Sequence, residues 1–360
     1  MKQRLLSLDF FRGLTIAAMI VVNDPGSWSH VFSPLLHAEW HGATPTDLVF
    51  PFFLFIVGVS IVLALSRFKV SGSPNYFKII KRTFILFGIG ILLSLFPNFN
   101  FDSVRIAGVL QRIALVYFFC SLIYLQSKNH HQILIGIFCL IIYWFFMTII
   151  PFGDSTAGTL EPGNNFAAWV DRFITPGKMY RETWDPEGFF STIPAISTGV
   201  SGMFCGHLIL NKNKSLKDKV IAIYFVGSLC LCLGMLWDYS FPINKHIWTS
   251  SYVLFSSGLA MLCLASCIWL IDHKKNLSYT HFGIVFGSNA ILAYILHSVL
   301  WHAFQIPIIN GSGIQKVWMD FGISTQLDPK LFSLIWALFY TFIIYLIVNQ
   351  LYKRKIFIKI

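Results

Sequence analysis

Apolar runs of about twenty residues alternate with short polar connections along nearly the whole chain, and each is long enough to cross a hydrocarbon core of about 30 Å as a helix. Ten such stretches are read, near residues 6–23, 46–66, 79–97, 105–125, 132–151, 191–210, 220–237, 249–271, 282–302 and 331–352. The pattern predicts an all-α, polytopic membrane helix bundle, one domain over residues 1–360, with external loops at 24–45, 152–190 and 303–330. The 152–190 segment is too short for an independent domain. It reads as a lid or a site wall, and the loop after His302 is expected to close over the same face. No internal repeat or low-complexity stretch breaks the pattern.

Composition supports this reading. Hydrophobic residues make up 56% of the chain and charged residues 12%, with a mean hydropathy of +0.66. Ordinary soluble domains carry roughly 25% charged residues, about twice as many. The basic start Met1-Lys2-Gln3-Arg4 resembles a secretory signal, but Asp9 and Arg12 interrupt the apolar run and no small-residue cleavage site follows, so an uncleaved first helix is expected. All seven cysteines fall in predicted spans, where Cys acts as a small buried hydrophobe. There is no disulfide framework and no C-x-x-C spacing, and no metal is expected.

Charge sets the expected orientation, because short loops rich in Lys and Arg stay cytoplasmic. Of the 27 Lys and Arg, 18 fall in segments that are cytoplasmic if both termini are inside, and six in the opposite loops: Arg172, Lys178, Arg181, Lys245, Lys316 and Lys330. The net charge of +11 is therefore a cytoplasmic-face effect. With no basic stripe interleaved with aromatics, nucleic acid is not an expected partner; membrane lipid, or an anionic cofactor reaching the cytoplasmic face, is.

The candidate chemistry lies in the first external loop. Leu36-His37-Ala38-Glu39-Trp40-His41-Gly42 sits between a span ending in Val21-Val22-Asn23-Asp24-Pro25-Gly26 and one opening with Thr46-Asp47-Leu48-Val49-Phe50-Pro51. An imidazole, an amide and a carboxylate meet at one membrane surface, as an acyl-transfer site would require. His is the side chain suited to taking a proton from an ammonium near neutral pH, and His37 is read as general base or as acetyl carrier. Asn23 offers an oxyanion donor at the helix end. Asp47 is read either as orienting the imidazole or as holding a substrate ammonium.

Arg4-Leu5-Leu6-Ser7-Leu8-Asp9-Phe10-Phe11-Arg12-Gly13, the His37 loop and Asp47-Leu48-Val49-Phe50-Pro51 together resemble the heparan-alpha-glucosaminide N-acetyltransferase family. Further motifs follow: Arg105-Ile106-Ala107-Gly108-Val109-Leu110-Gln111-Arg112, Asp185-Pro186-Glu187-Gly188, Pro242-Ile243-Asn244-Lys245-His246-Ile247-Trp248, and Asn289 with His297 on a late helix. The resemblance implies transfer of an acetyl group from cytoplasmic acetyl-CoA to the amine of a terminal glucosamine across the membrane. It matches His37 and Asn23 to the family's active-site pair. The spacing between the two is longer here, and the extra lysosomal N-terminal region is not seen. The Asp9–Gly13 element is also similar to the wider membrane acyltransferase superfamily, whose first helix usually ends in His where this chain has Asn23.

Each remaining residue has two readings. Asp9 and Arg12, three apart on one helical face, read as an ion pair, or Arg12 as facing the anionic end of CoA. Arg105 and Arg112, seven apart, are expected to share a face of the fourth helix with Gln111 adjacent, either as interhelical glue or as cofactor-binding groups. Asp185, Glu187, Asn244 and Lys245 read as solvated loop residues or as ligands for an amino sugar, with Trp40 beside them as an interfacial ring or a substrate contact. Asn289 and His297, eight apart, are expected on one face of one helix, as a buried pair or as substrate-binding groups.

The reading is an acetyl-CoA-dependent N-acetyltransferase for an external amino sugar; the alternative is an amino-sugar permease without acyl chemistry. A homodimer is left open. Short loops favour a bacterial inner membrane, against which stands the external sequon Asn310-Gly311-Ser312.

Overall fold

All ten expected stretches are helical in the computed structural model, which describes residues 5–308 and 311–358. Arg4 of the first motif and Asn310 of the sequon lie outside the described residues. Among the described residues, eight helices are long and apolar enough to cross a membrane, and nine if one bent pair counts as a single span. The stretch expected at 79–97 forms α3, whose first turns carry Lys78, Lys81 and Arg82. The chain is an integral membrane protein of all-α architecture; among the described residues its only strands are the two-residue partners Leu160–Glu161 and Asn164–Asn165.

The helices group into two compact units. One gathers the described parts of Met1–Ala38, Thr44–Phe50 and Cys267–Lys359, the other Glu39–Ala43 and Pro51–Ser266.

The first unit holds α1 (Leu6–Asn23), α10 (His281–Ser288), α11 (Ala290–Gln305), α12 (Ile314–Ser324) and α13 (Pro329–Lys353). Its closest packing is α1 on α10. A Cβ on Gly13 would sit 1.8 Å from the Gly283 carbonyl oxygen, and one on Gly287 would sit 1.9 Å from that of Asp9, so only glycine permits the approach. The span expected over 282–302 is broken, because α10 and α11 meet at 83°. The break is stabilised at Asn289, whose side chain donates to the Ile356 carbonyl (3.1 Å) and accepts from the Ile358 N–H (2.9 Å). Asn289 and His297 therefore do not share one continuous helical face. Helix α12 occupies part of the expected 303–330 loop.

The second unit holds the body of α2 (Val49–Ser71), then α3 (Tyr76–Leu95), α4 (Val109–Gln126), α5 (Asn129–Thr148), α6 (Phe166–Ile174), α7 (Thr192–Leu210), α8 (Leu216–Asp238) and α9 (Ser250–Cys267). Helix α7 packs against α4, α5 and α8. Its glycines also let α2 approach, since a Cβ on Gly202 would lie 1.9 Å from the Phe55 carbonyl oxygen. Helix α4 starts later than the sequence suggests. Gly108 is extended (φ −172°, ψ 175°), and the helix begins at Val109. Arg105 precedes it in a backbone bridge to Gly177, so Arg105 and Arg112 do not share a helix face. The 152–190 segment has structure of its own: α6, the short strand pair and an aromatic core in which Phe152, Phe166 and Phe190 pack with Tyr143 of α5.

Candidate active site

In the first unit, α1 ends at Asn23 because Asp24 leaves helical geometry (φ −123°, ψ 54°) and Pro25-Gly26 follow. Asn23 is exposed and makes no side-chain hydrogen bond among the described residues. Its neighbour Asp24 turns inward, with Oδ2 at 3.1 Å from His297 Nδ1 on α11. Burial raises the Asp24 pKa against the hydrogen bond from His297. The Tyr340 hydroxyl donates to the His297 carbonyl and fixes that stretch of helix.

His37 and Asp47 form a second carboxylate–imidazole pair in the same unit. Asp47 lies in the single turn Pro45–Leu48 that leads into α2, and it is fully buried. Its Oδ2 accepts from the Ala38 N–H (3.0 Å), the Thr44 N–H (2.9 Å) and the Thr44 hydroxyl (3.1 Å), while its Oδ1 lies 2.6 Å from His37 Nδ1. The carboxylate is thus desolvated yet fully hydrogen-bonded, which keeps it ionised and fixed in direction. The His37 side chain keeps 37% of its surface exposed. With an ionised acceptor at Nδ1, the proton belongs on Nδ1 and the basic nitrogen is Nε2. Of Asp47's two sequence readings, the geometry matches orientation of the imidazole.

Arg12 Nη1 donates to Asp9 Oδ1 (3.2 Å), the expected ion pair, and lies 3.3 Å from the Gly287 carbonyl at the end of α10. A shallow, open groove in this unit lies between Val21, Phe32 and Leu334 and is lined mainly by apolar side chains. It touches none of these polar groups.

In the second unit, Arg105 and Arg112 converge on the turn Asp185–Gly188. Arg105 donates from Nε to Asp185 Oδ2 (2.7 Å), from Nη2 to Asp185 Oδ1 (2.5 Å), and to Glu187 Oε2. Burial would lower the Arg105 pKa, but the two carboxylates outweigh it and the net shift is upward. Glu187 moves the other way: burial favours its neutral form, yet Arg105, Lys245 and Arg112 hold it below the usual carboxylate range. The carboxylates expected to bind an amino sugar and the arginine expected to bind a cofactor are thus bonded to one another.

Arg112 is buried, with its guanidinium 5.0 Å from the Trp248 ring centroid. Nη2 donates to the Gly188 carbonyl (2.7 Å) and to the Ser191 hydroxyl, while Nε and Nη1 are buried without a hydrogen-bond partner among the described residues. Gln111 is buried against Gly90 and Gly108. Asn244 is fully buried and builds its own loop, accepting from the Ile247 N–H (3.2 Å), with Nδ2 at 3.3 Å from His41 Nδ1. The Gly42 N–H donates to the Ile243 carbonyl (2.7 Å), and Trp40 Nε1 donates to the Leu160 carbonyl (2.8 Å).

Sequence reasoning passed over Asp171, which is buried beneath the same turn. Its Oδ1 accepts from the Phe190 N–H (2.9 Å), and a Cβ on Gly188 would sit 1.9 Å from Oδ2. Burial raises its pKa to about 6, against the hydrogen bond from Phe190 and the charge of Arg112. Its signal in the sequence was spacing: it stands four residues after Ala167, on the buried face of α6. Asp24 pairs with a histidine 273 positions away, which leaves no local signal in the sequence.

Residues 4–235 match the family model described as heparan-alpha-glucosaminide N-acetyltransferase, catalytic. The chain belongs to that family. Human heparan-alpha-glucosaminide N-acetyltransferase is 29% identical over 99% of this chain, and the mouse protein 28% identical over 99%. The chain spans 60% of the length of each of these relatives. The part that matches the N-acetyltransferase family model includes Asn23, His37, Asp47, Arg105, Arg112, Asp185 and Glu187, and it ends before Asn244, Lys245, Asn289 and His297.

Proposed function

We propose that this protein is a membrane acetyltransferase that moves an acetyl group from acetyl-CoA to the amine of a glucosamine or related amino sugar. The observation that carries the reading is the His37–Asp47 pair at 2.6 Å. Family membership supports the reaction class, and the pair supports His37 as its base.

In this reading Asp47 holds the Nδ1 proton and stabilises the imidazolium as it forms. Nε2 of His37 takes a proton from the acceptor's ammonium. The freed nitrogen attacks the thioester carbonyl, the carbon–sulfur bond breaks, the leaving thiolate takes the second proton that the nitrogen sheds as it becomes an amide, and the proton held by His37 returns to solvent. General-base catalysis of this kind contributes about 10²- to 10⁴-fold. Asn23, exposed at the end of α1, is proposed as the donor to the carbonyl oxygen as it becomes an oxyanion.

The residues fit an acyl donor at one specific point. Arg112 has two buried donor positions without partners, an arrangement that costs several kcal/mol unless an acceptor fills them. A carbonyl oxygen of the donor's acetyl-pantetheine arm is the proposed acceptor, with Arg105 as a positioning residue through the Asp185–Gly188 turn. Arg12 and Gln111 are kept as donor-side candidates, and Asn244, Lys245, Asn289 and His297 as acceptor-side ones. The donor's phosphates do not cheaply cross hydrocarbon, so the nucleotide is proposed to stay cytoplasmic while His37 faces the other side. A bacterial inner membrane is the proposed location.

One observation favours a second reading, an amino-sugar permease. The broken span at Ser288–Asn289 is a feature that transporters use at their binding sites. Sealed vesicles of native orientation separate the two. With acetyl-CoA inside and glucosamine outside, the enzyme reading expects acetylated product outside without sugar uptake. Labelled sugar accumulating inside, unacetylated, would establish the permease instead.

A further inference from the structure

Trp40, Trp184 and His246 come from three separate connecting segments of the second unit, and their rings pack on one another. Trp40 and His246 are stacked nearly parallel, with centroids 5.4 Å apart and planes 8° from coincidence. Trp184 stands edge-on to both, 5.1 Å from Trp40 and 5.5 Å from His246. All three are only half-buried. Trp40 is held in place through Nε1 by the Leu160 carbonyl, and the backbone two residues on is bonded to Ile243. At the rim, the exposed His41 ring lies 6.2 Å from that of Trp40 and pairs with Asn244.

The charges nearby decide what this cluster can recognise. Both oxygens of Asp185 and one of Glu187 are bonded to Arg105, and Lys245 and Arg112 add further positive charge. A cation arriving there finds no unpaired carboxylate at the Asp185–Gly188 turn. An indole face attracts a cation without a counter-charge, through its quadrupole. It also stacks against the C–H face of a pyranose, which an acidic side chain cannot do. An amino sugar offers both features in one small molecule.

We infer that Trp40, Trp184 and His246 form a binding platform for a pyranose bearing an ammonium group, with the sugar's C–H face and the cation both held on indole surface. The inference rests on the proposed acetyltransferase only in taking this ligand to be the acyl acceptor. Trp184 and His246 supply surface and orientation and take no part in proton transfer.

The test is binding to the full chain in detergent, without acetyl-CoA, by titration of D-glucosamine, D-glucose and ethanolamine with tryptophan fluorescence and calorimetry. Glucosamine is expected to bind more tightly than either the neutral sugar or the cation alone. Trp184→Ala and Trp40→Ala are each expected to raise its Kd by about 3- to 30-fold, the span of a cation–π contact from exposed to desolvated surroundings. Trp184→Phe is expected to retain most of the affinity. Where an alanine variant does not elute as a single species, Trp184→Leu keeps the volume, removes the π face and must show the same loss. Unchanged Kd in these variants, or ethanolamine binding as tightly as glucosamine, would reduce the three rings to local packing. If binding is lost in the variants but no acetyl transfer is found in the parent, the platform stands and the acetyltransferase reading fails. If transfer proceeds with an unchanged acceptor KM in Trp184→Ala, the reverse holds.

Discussion

Nδ1 of His37 lies 2.6 Å from Oδ1 of Asp47, and the carboxylate that receives it is fully buried and held by three further donors. In a hydrolytic triad the same relationship fixes the tautomer of the base, and amidation of the aspartate there costs about 10⁴-fold in rate. Asp47→Asn is expected to lower kcat by about 10³- to 10⁴-fold while leaving acetyl-CoA affinity within about 2-fold. His37→Ala is expected to abolish transfer. Labelled acetyl transfer measures both, and an Asp47→Asn rate within tenfold of the parent would remove the orienting role.

Asn23 and Asp24 are adjacent in sequence and opposite in environment, which makes them separable. Asn23→Ala is expected to lose about 10²- to 10³-fold in kcat if its amide serves the oxyanion. Asp24→Asn removes the charged partner of His297 and is expected to act chiefly on the pH profile. A change confined to acceptor KM in Asn23→Ala would make Asn23 a binding residue.

Removing Arg105 leaves Asp185 and Glu187 buried without the cation that binds them both. Loss of one member of such a cluster costs about 3–5 kcal/mol. Arg105→Ala is therefore expected to lower the thermal midpoint in detergent by several degrees. Arg105→Lys is expected to restore only part of it, because a single ammonium cannot reproduce the forked contact with both oxygens of Asp185. Full rescue by lysine would show that charge alone matters there.

Asp171 gives a pH prediction whose sign follows from its raised pKa of about 6, against an ordinary 3.8. A carboxyl raised on folding contributes stability that is fully present below its unfolded pKa and is lost as pH rises through the folded one. Between pH 4 and pH 7 the parent is expected to lose up to about 3 kcal/mol relative to Asp171→Asn, from roughly two units at 1.36 kcal/mol each. Unfolding in detergent across that range measures it, and parallel curves for parent and variant would exclude the effect.

Orientation is tested independently of catalysis. A membrane-impermeant thiol reagent is expected to modify Cys placed at Ala38 from outside intact cells, and Cys placed at Ser215 only after permeabilisation. The opposite pattern would invert the proposed topology and with it the side from which each substrate arrives.

Much of this protein was legible in the linear chain, because hydrocarbon leaves the backbone few choices. A segment without water to satisfy its polar groups must be helical, so the ten stretches emerged from apolar run length alone. The His37 loop was readable for a related reason: polar residues between two spans stand out, and the Asp47 turn that orders the loop lies only ten residues away. Local spacing carries that kind of information.

Pairings between distant segments were decided only by tertiary structure. The sequence placed Arg105 and Arg112 on one helix face, but Gly108 is extended and delays the helix, and a turn some 80 residues later brings both arginines together again. It ran one span through Asn289, whose side chain instead bonds the backbone near the C-terminal end and marks a sharp bend. Asp24 with His297, Asp171 beneath Gly188, and Trp40 with Trp184 and His246 follow the same rule. A buried charge or ring takes its partner from whichever segment the packing brings near, and helical periodicity holds no record of that choice.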